Sequence, residues 1–435
     1  MTAADVRVPH ARLVVVAAAA LVCAILLWLT GSFTFYFDEW TFITTAPDWT
    51  FWTYFEPHNE HPSMLLRLSY TLLLNTVGLR AYAPYMAVLL LAHCANVVLL
   101  FELVRRRAGD LVAMAAAFIL LVLGAGWEDI LWAFQIGWLA SIAFGLGAML
   151  ALGRRPAGAA ALIAVSLAFS GIGMVFMVAA AVELLLTRGR RRDLLWLVPP
   201  AVALAAWYLG FGRFGTHPDP QPTAANLLID PLYAVWGLSQ GVAGLLGAGG
   251  WIGYPLLALA LLVMAWRWRR HGLDGFTAGV AAGLLAFYLV AGLTRAQLGW
   301  QQSGASRYVY VAAVLWLVLL GDAARHLPWR GTWRPALVAC VFLACFNSAV
   351  LLVEYTSAKT VQMQRAVADL QALAAERNDP CLDPTSDADV LITPGITPPA
   401  YYRAVDRYGD PAAGIPVRDG ADFEAARGHL RKANC

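Results

Sequence analysis

Residues 62–79 read PSMLLRLSYTLLLNTVGL, and whether this stretch crosses a membrane decides the side on which every later loop lies. It is apolar and close to the ~20 residues that a transmembrane helix needs. If it crossed, Arg105, Arg106 and Arg107 would face outward and the basic clusters further along would change sides with them, against the excess of Lys and Arg expected in cytoplasmic loops. Laid along the interface as an amphipathic helix carrying Arg67 and Tyr70, it leaves the N-terminus and the clusters at 105–107, 154–155, 188–192, 267–271 and 325–334 all cytoplasmic. The loop 31–82 that contains it is then external. So are 127–135, 212–250, 294–306 and everything beyond Glu354.

Working outward, the whole chain supports a membrane setting. Of its 435 residues 60% are hydrophobic and only 14% charged, against about 25% charged in ordinary soluble domains. That excludes a soluble protein. The net charge of +3 is dispersed in short clusters between apolar runs, so no nucleic-acid footprint follows. About eleven runs reach spanning length, near 12–31, 83–104, 111–125, 133–152, 157–171, 172–187, 194–212, 251–266, 275–293, 308–322 and 335–353. The first resembles a signal peptide, but no small-residue cleavage site follows it, so it reads as an anchor. Residues 226–250, with Asp230, Pro231 and closing glycines, read as a re-entrant or interfacial helix.

The expected fold is thus an all-α polytopic membrane protein, with a membrane domain over 1–353 and a small external segment over 354–435. In that segment 355–377, 398–408 and 421–432 have helical patterns, and 389–394 (DVLITP) reads as a strand, which would make the tail a small α/β unit. Cys23, Cys94, Cys340 and Cys345 fall in apolar runs, whereas Cys381 and Cys435 lie in the tail. Outside the cytosol those two could pair as a disulfide.

Polar chemistry concentrates in 33–61, FTFYFDEWTFITTAPDWTFWTYFEPHNEH. Asp38 and Glu39 stand just beyond the first span among aromatics, where a carboxylate could act as a base toward a hydroxyl; equally, an acidic pair can mark the end of a span. His58, Glu60 and His61 are ligand-type residues in a turn flanked by Pro57 and Pro62. They could bind substrate, hold a divalent cation through Glu60 and His61, or shape the loop. Glu128 and Asp129 open the second external loop, as acceptor contacts or as favourable charge at a helix N-terminus. Arg295, Arg307 and Tyr308 bracket the late loop 294–310, where paired arginine hydrogen bonds suit a phosphate and span-end snorkelling is the alternative. His93 and Asn96 lie within a span, and Trp132 and Trp138 are among the aromatics that could stack on sugars.

The order of FDEW at 37–40, EHPSMLLRL at 60–68 and LFELVRRRAG at 100–109 resembles the GT-C glycosyltransferases, a superfamily that includes protein O-mannosyltransferases and lipid A aminoarabinose transferases. The resemblance covers about the first 150 residues in pattern and the whole chain in architecture. It implies a GT-C-like bundle with interfacial helices in the first external loop, and an inverting transfer from a polyprenyl-phosphate sugar to an envelope glycan, lipid or protein at the plasma membrane. It further implies that Asp38, assisted by Glu39, is the general base or metal-assisting carboxylate, with a divalent cation as the only cofactor. His58, His61, Arg67, Glu128, Asp129, Arg295, Arg307 and Tyr308 are the residues expected around donor and acceptor. Many members carry histidine and two prolines where this chain has His61, Pro62 and Ser63. Two other classes stay open: a polytopic transporter or lipid flippase, and a non-catalytic envelope scaffold.

Overall fold

A computed structural model describes residues 2–214, 223–389, 391–415 and 420–435. Among these the chain is helical throughout, and eight helices are long and apolar enough to cross a membrane. The protein is accordingly a polytopic, all-helical one.

Helix α1 (Ala11–Leu29) is apolar from Leu13 onward, without glycine or proline, and it stops at Thr30 and Gly31. Two short helices follow, α2 (Asp38–Thr45) and α3 (Met64–Thr76). At 13 residues α3 is roughly 20 Å long, too short to span. It occupies the stretch 62–79 and ends where Gly78, at φ 70°, turns the chain; a side chain there would collide with the Tyr408 carbonyl.

The expected count of about eleven spans differs from the eight for two reasons. Helix α4 (Ala83–Leu121) holds two of the expected spans as one 39-residue element broken at Gly109, whose φ of 79° and ψ of 178° are not helical. Its arms fold back on each other, with an imidazole nitrogen of His93 3.2 Å from the Leu121 carbonyl. Beyond the short α5 (Trp127–Leu131) and α6 (Ile136–Leu152) come α7 (Pro156–Phe169) and α8 (Gly173–Leu186), of 14 residues each. These two are apolar but shorter than the ~17 residues usually needed.

Helix α9 (Val198–Gly210) leads to α10 (Ala224–Gly244). The start of α10 bonds to the far end of the next pair of helices, Asn226 Nδ2 donating to the Leu293 carbonyl at 2.7 Å. Its last turn lies against Val309 and Ala125, at that same end of the bundle. Both ends of α10 therefore pack toward that end, and α10 is not among the eight helices long and apolar enough to cross. Helices α11 (Gly253–His271), α12 (Gly275–Arg295) and α13 (Ser306–Ala324) complete the interior, with α13 almost wholly buried at the centre.

Helix α14 (Trp333–Glu376) runs 44 residues, roughly 66 Å and about twice a bilayer core. It passes unbroken through position 353 into the tail, where it packs with α15 (Pro398–Tyr408) and α16 (Gly420–Leu430). Cys381 and Cys435 are disulfide-bonded.

The described residues of 389–394 form no strand, where one was expected. Val390 lies outside the described residues, and the rest of the segment is a turn. The Asp389 carboxylate accepts from the Leu391 N–H at 2.7 Å, and its carbonyl accepts from Thr393 at 2.9 Å. An aspartate that bonds backbone two residues on favours a turn over a ladder, so the tail is helical rather than α/β.

The basic clusters gather at one end of the bundle. Arg106 donates to the Leu150 carbonyl at 2.8 Å and Arg190 to that of Leu152 at 2.7 Å. Arg107 and Arg267 meet around Asp274 and Asp322. The polar loops and the tail share the opposite end, where Phe37 N–H donates to the Ile392 carbonyl at 3.0 Å and Leu79 N–H to that of Tyr408 at 2.9 Å.

Candidate active site

At that loop end lies a cavity of about 550 Å³ that brings together Asp38, His58, Glu60, His61, Glu128, Arg295, Arg307 and Tyr308. Its size falls in the roughly 300–1,000 Å³ range of small-ligand sites. The residues come from four separate segments, and the topology rather than the sequence order joins them.

Asp38 opens α2, behind Phe37 at φ 55° and ψ −126°. A phenylalanine with positive φ is strained, and such outliers concentrate at functional sites. The strain is held by the Ile392 contact and sets the direction in which Asp38 leaves the backbone. The Asp38 carboxylate is partly exposed and stands 3.7 Å from His58 Nε2, a buried nitrogen with no closer partner. His58 and His61 exchange backbone hydrogen bonds, each 3.1 Å, around Asn59 at φ 48°. That tight turn aims Glu60 across the cavity, where it accepts from Arg295 Nη2 at 2.6 Å. Burial alone would raise the Glu60 carboxyl, but the hydrogen bond and charge of Arg295 hold it below the ordinary value. His61 is driven the other way, to about 4, because burial penalises its charged form. It is a neutral imidazole at pH 7.

From the opposite wall, Arg307 donates its backbone N–H to Glu128 Oε2 at 3.1 Å and lies 3.4 Å from Oε1 through Nη1. The Glu128 N–H is in turn bonded to Ser306 Oγ at 3.1 Å. Glu60 and Glu128, on facing walls, are thus each tied to an arginine that lines the cavity.

Glu39 points away from its neighbour, into the protein. It is fully buried and accepts from Tyr70 Oη at 2.8 Å, from Tyr82 Oη at 3.1 Å and from the Tyr36 N–H at 3.1 Å. Burial pushes it up to about 8 against the pull of those three bonds. It braces the loop and does not line the cavity. Arg67 is likewise outside it: the guanidinium is sandwiched near the rings of Phe42 and Trp49, at 4.7 and 5.1 Å. Asp129 is buried behind Glu128, with both carboxylate oxygens lacking a hydrogen-bond partner, and burial raises it well above the carboxylate range.

Among the described residues no group of three His, Cys, Asp or Glu side chains is placed to hold a metal ion. Glu60 is already engaged by Arg295, so the pair Glu60 and His61 does not fit a cation site.

Sequence reasoning passed over Tyr36, Gln135 and Ser170, which also line the cavity. Gln135 carried a signal: it is a lone amide at the head of an apolar run, and its buried Oε1 has no protein partner. Trp132 and Trp138 line the cavity as well.

A second, apolar groove of about 460 Å³ adjoins the first between α8, α9 and α12, and the two share Glu60, His61, Pro62, Trp138, Arg295 and Tyr308. Its far walls are Val175, Leu204, Tyr208 and Phe287. Tyr208 is exposed on the outer surface of the bundle. Comparison with protein-family models, with curated proteins and with solved structures returns no match for this chain.

Proposed function

We propose that the protein is a membrane glycosyltransferase that moves a sugar from a polyprenyl-phosphate donor to an extracytoplasmic acceptor with inversion. One observation carries the reading: Arg295 and Tyr308 belong at once to a polar cavity with a partly exposed carboxylate and to an apolar groove reaching the outside of the bundle. That combination suits an amphiphile with an anionic joint.

In this reading the prenyl chain occupies the groove and the phosphate sits at Arg295 and Arg307. The sugar lies in the polar cavity beside Trp132 and Trp138. Asp38, with His58 at its side, takes the proton of an acceptor hydroxyl as its oxygen attacks the anomeric carbon. The C–O bond to phosphate breaks, and its electron pair leaves with the polyprenyl phosphate, whose charge the arginines stabilise. No step runs through a metal.

The GT-C resemblance supports this order of parts. The gathering of basic clusters at the far end supports a cytoplasmic face there, and the Cys381–Cys435 bridge supports an oxidising, extracytoplasmic setting for the tail. Both fit the plasma membrane.

The test is transfer of labelled sugar from a polyprenyl-phosphate donor in proteoliposomes by wild type and Asp38→Asn. Transfer is expected to fall by about 10²–10⁴-fold. Full retained transfer removes Asp38 from the mechanism, and movement of donor across the bilayer without transfer favours a flippase.

A further inference from the structure

A third cavity, of about 700 Å³, lies outside the site described, between α14 and the tail, and is lined by Trp127, Tyr355, Lys359, Gln362, Arg365 and Asp422. Two features set it apart from a surface dent. Lys359, one of only two lysines in the chain, is 4% exposed. Its Nζ bonds Gln362 Oε1 at 2.9 Å and lies 3.1 Å from the centroid of the Tyr36 ring. Among the described residues no carboxylate comes within ion-pair distance of it, whereas Arg365 beside it is paired with Asp389 at 2.7 Å. Burial penalises this ammonium, which feels the carboxylates of Glu39 and Glu128 only from beyond ion-pair distance, and its bond to Gln362 does not use all of its N–H donors, so capacity remains for a ligand. The second feature is an aromatic wall: Trp127 and Tyr355 stack at 5.0 Å with planes 16° apart.

The cavity is also wired to the catalytic one. Tyr36, which carries Lys359 on its ring, lines the catalytic cavity, and Trp127 immediately precedes Glu128 there. Ile392 lines the outer cavity and accepts the hydrogen bond from Phe37, the strained residue before Asp38.

Resting on the transferase reading, we propose that this outer cavity binds the acceptor, and that the acceptor is an anionic oligosaccharide. Lys359 and Arg365 receive its acidic group, Gln362 its hydroxyls, and the Trp127–Tyr355 wall the C–H face of a sugar ring, which the negative face of an aromatic attracts. The reacting hydroxyl reaches Asp38 past Tyr36 and Glu128. A neutral glycan leaves the Lys359 ammonium unanswered and binds less well.

The test is binding, with no donor present, of tetragalacturonate and of neutral galactotetraose to the full-length protein in nanodiscs, by calorimetry. Tetragalacturonate is expected to bind at least about tenfold more tightly than the neutral tetramer, and Lys359→Met to weaken it about 10–100-fold, the range for a charge-assisted hydrogen bond. Tyr355→Ser is expected to cost a severalfold loss. If Lys359→Met does not reconstitute, Arg365→Gln on the more exposed side of the cavity carries the same comparison. The proposal is overturned if tetragalacturonate gives no binding heat, if both tetramers bind alike, or if these variants bind as wild type does. Because no transfer is measured, loss of binding reports on this cavity alone and the Asp38→Asn assay on the catalytic one. Either can fail without the other.

Discussion

The two ends of the bundle are both built from arginines facing carboxylates, and they use them in opposite ways. At the basic end Asp322, 1% exposed, accepts from Arg107 at 2.9 Å and Arg267 at 2.8 Å, with Arg325 at 3.5 Å. Asp274 takes a second nitrogen of Arg107 and shares Arg267 Nη2 with Asp322, and it accepts from the Thr277 N–H at 2.8 Å. Arg267 spends another donor on the Gly272 carbonyl. The network shares its acids between arginines and ties α4, α11, α12 and α13 together, with one buried donor, Arg267 Nε, left over and lining none of the cavities described above. At the loop end Arg295 gives one nitrogen to Glu60 and Arg307 one to Glu128. An arginine has five N–H donors in a fixed fork, so donors remain directed at the cavity. The difference teaches that pairing alone does not distinguish a brace from a site; what does is donors that line a cavity, as those of Arg295 and Arg307 do.

The harshest way to break this comparison is to remove the shared acid of the basic-end network. Asp322→Asn leaves Arg267, itself 2% exposed in its side chain, short of its partner, and breaking a buried pair costs about 3–5 kcal/mol. A clear drop in the thermal midpoint in detergent is expected, with transfer per folded molecule unchanged. If stability holds and transfer falls, the basic end is no mere brace.

The same operation at the other end is expected to give the opposite pattern. On the proposed transferase reading Arg307→Gln removes a donor to the departing phosphate, and kcat is expected to fall by about 10²–10³-fold, as on loss of one donor to developing charge. The thermal midpoint should stay near that of wild type, because the pair with Glu128 is partly exposed. A loss of stability without loss of kcat would make this end a second brace and remove the phosphate role.

How much of this was legible in the sequence follows from the range of the interactions. The spans, the interfacial stretch 62–79 and the tail helices follow from local apolar spacing and were readable. The convergence of Asp38, His58, Arg295 and Arg307 on one cavity was also readable, because each sits in a polar loop between apolar runs. The division of labour between Asp38 and Glu39 was not. Successive residues on a helix point about 100° apart, and what captures Glu39 is Tyr70 and Tyr82, 31 and 43 residues away. Arg67 was misplaced for the same reason: the rings that cover it come from Phe42 and Trp49. The strand at 389–394 failed locally, since alternation was outweighed by one aspartate side chain bonding its own backbone. Lys359 drew no notice because its meaning lies in Tyr36, 323 positions earlier, beneath its ammonium.

The gentlest prediction sharpens the contrast within a single dipeptide. Glu39 is held up to about 8 in the folded protein against 4.5 for the free side chain. Between those values the folded state binds the extra proton, so its contribution to stability is complete below about pH 4.5 and is lost as pH rises through about 8. Wild type should therefore lose thermal stability progressively on going from pH 6 to pH 9. Glu39→Gln, which keeps a neutral acceptor for Tyr70 or Tyr82 but has no proton to release, should show a flatter profile over that interval and change transfer at pH 6.5 by less than about threefold, the size of effect expected of a group outside the reacting cavity. The decisive reading is the shape of the stability curve. A Glu39→Gln profile parallel to that of wild type means that Glu39 is not the titrating brace, while a large fall in transfer with the stability slope unchanged would return it to the reaction beside Asp38.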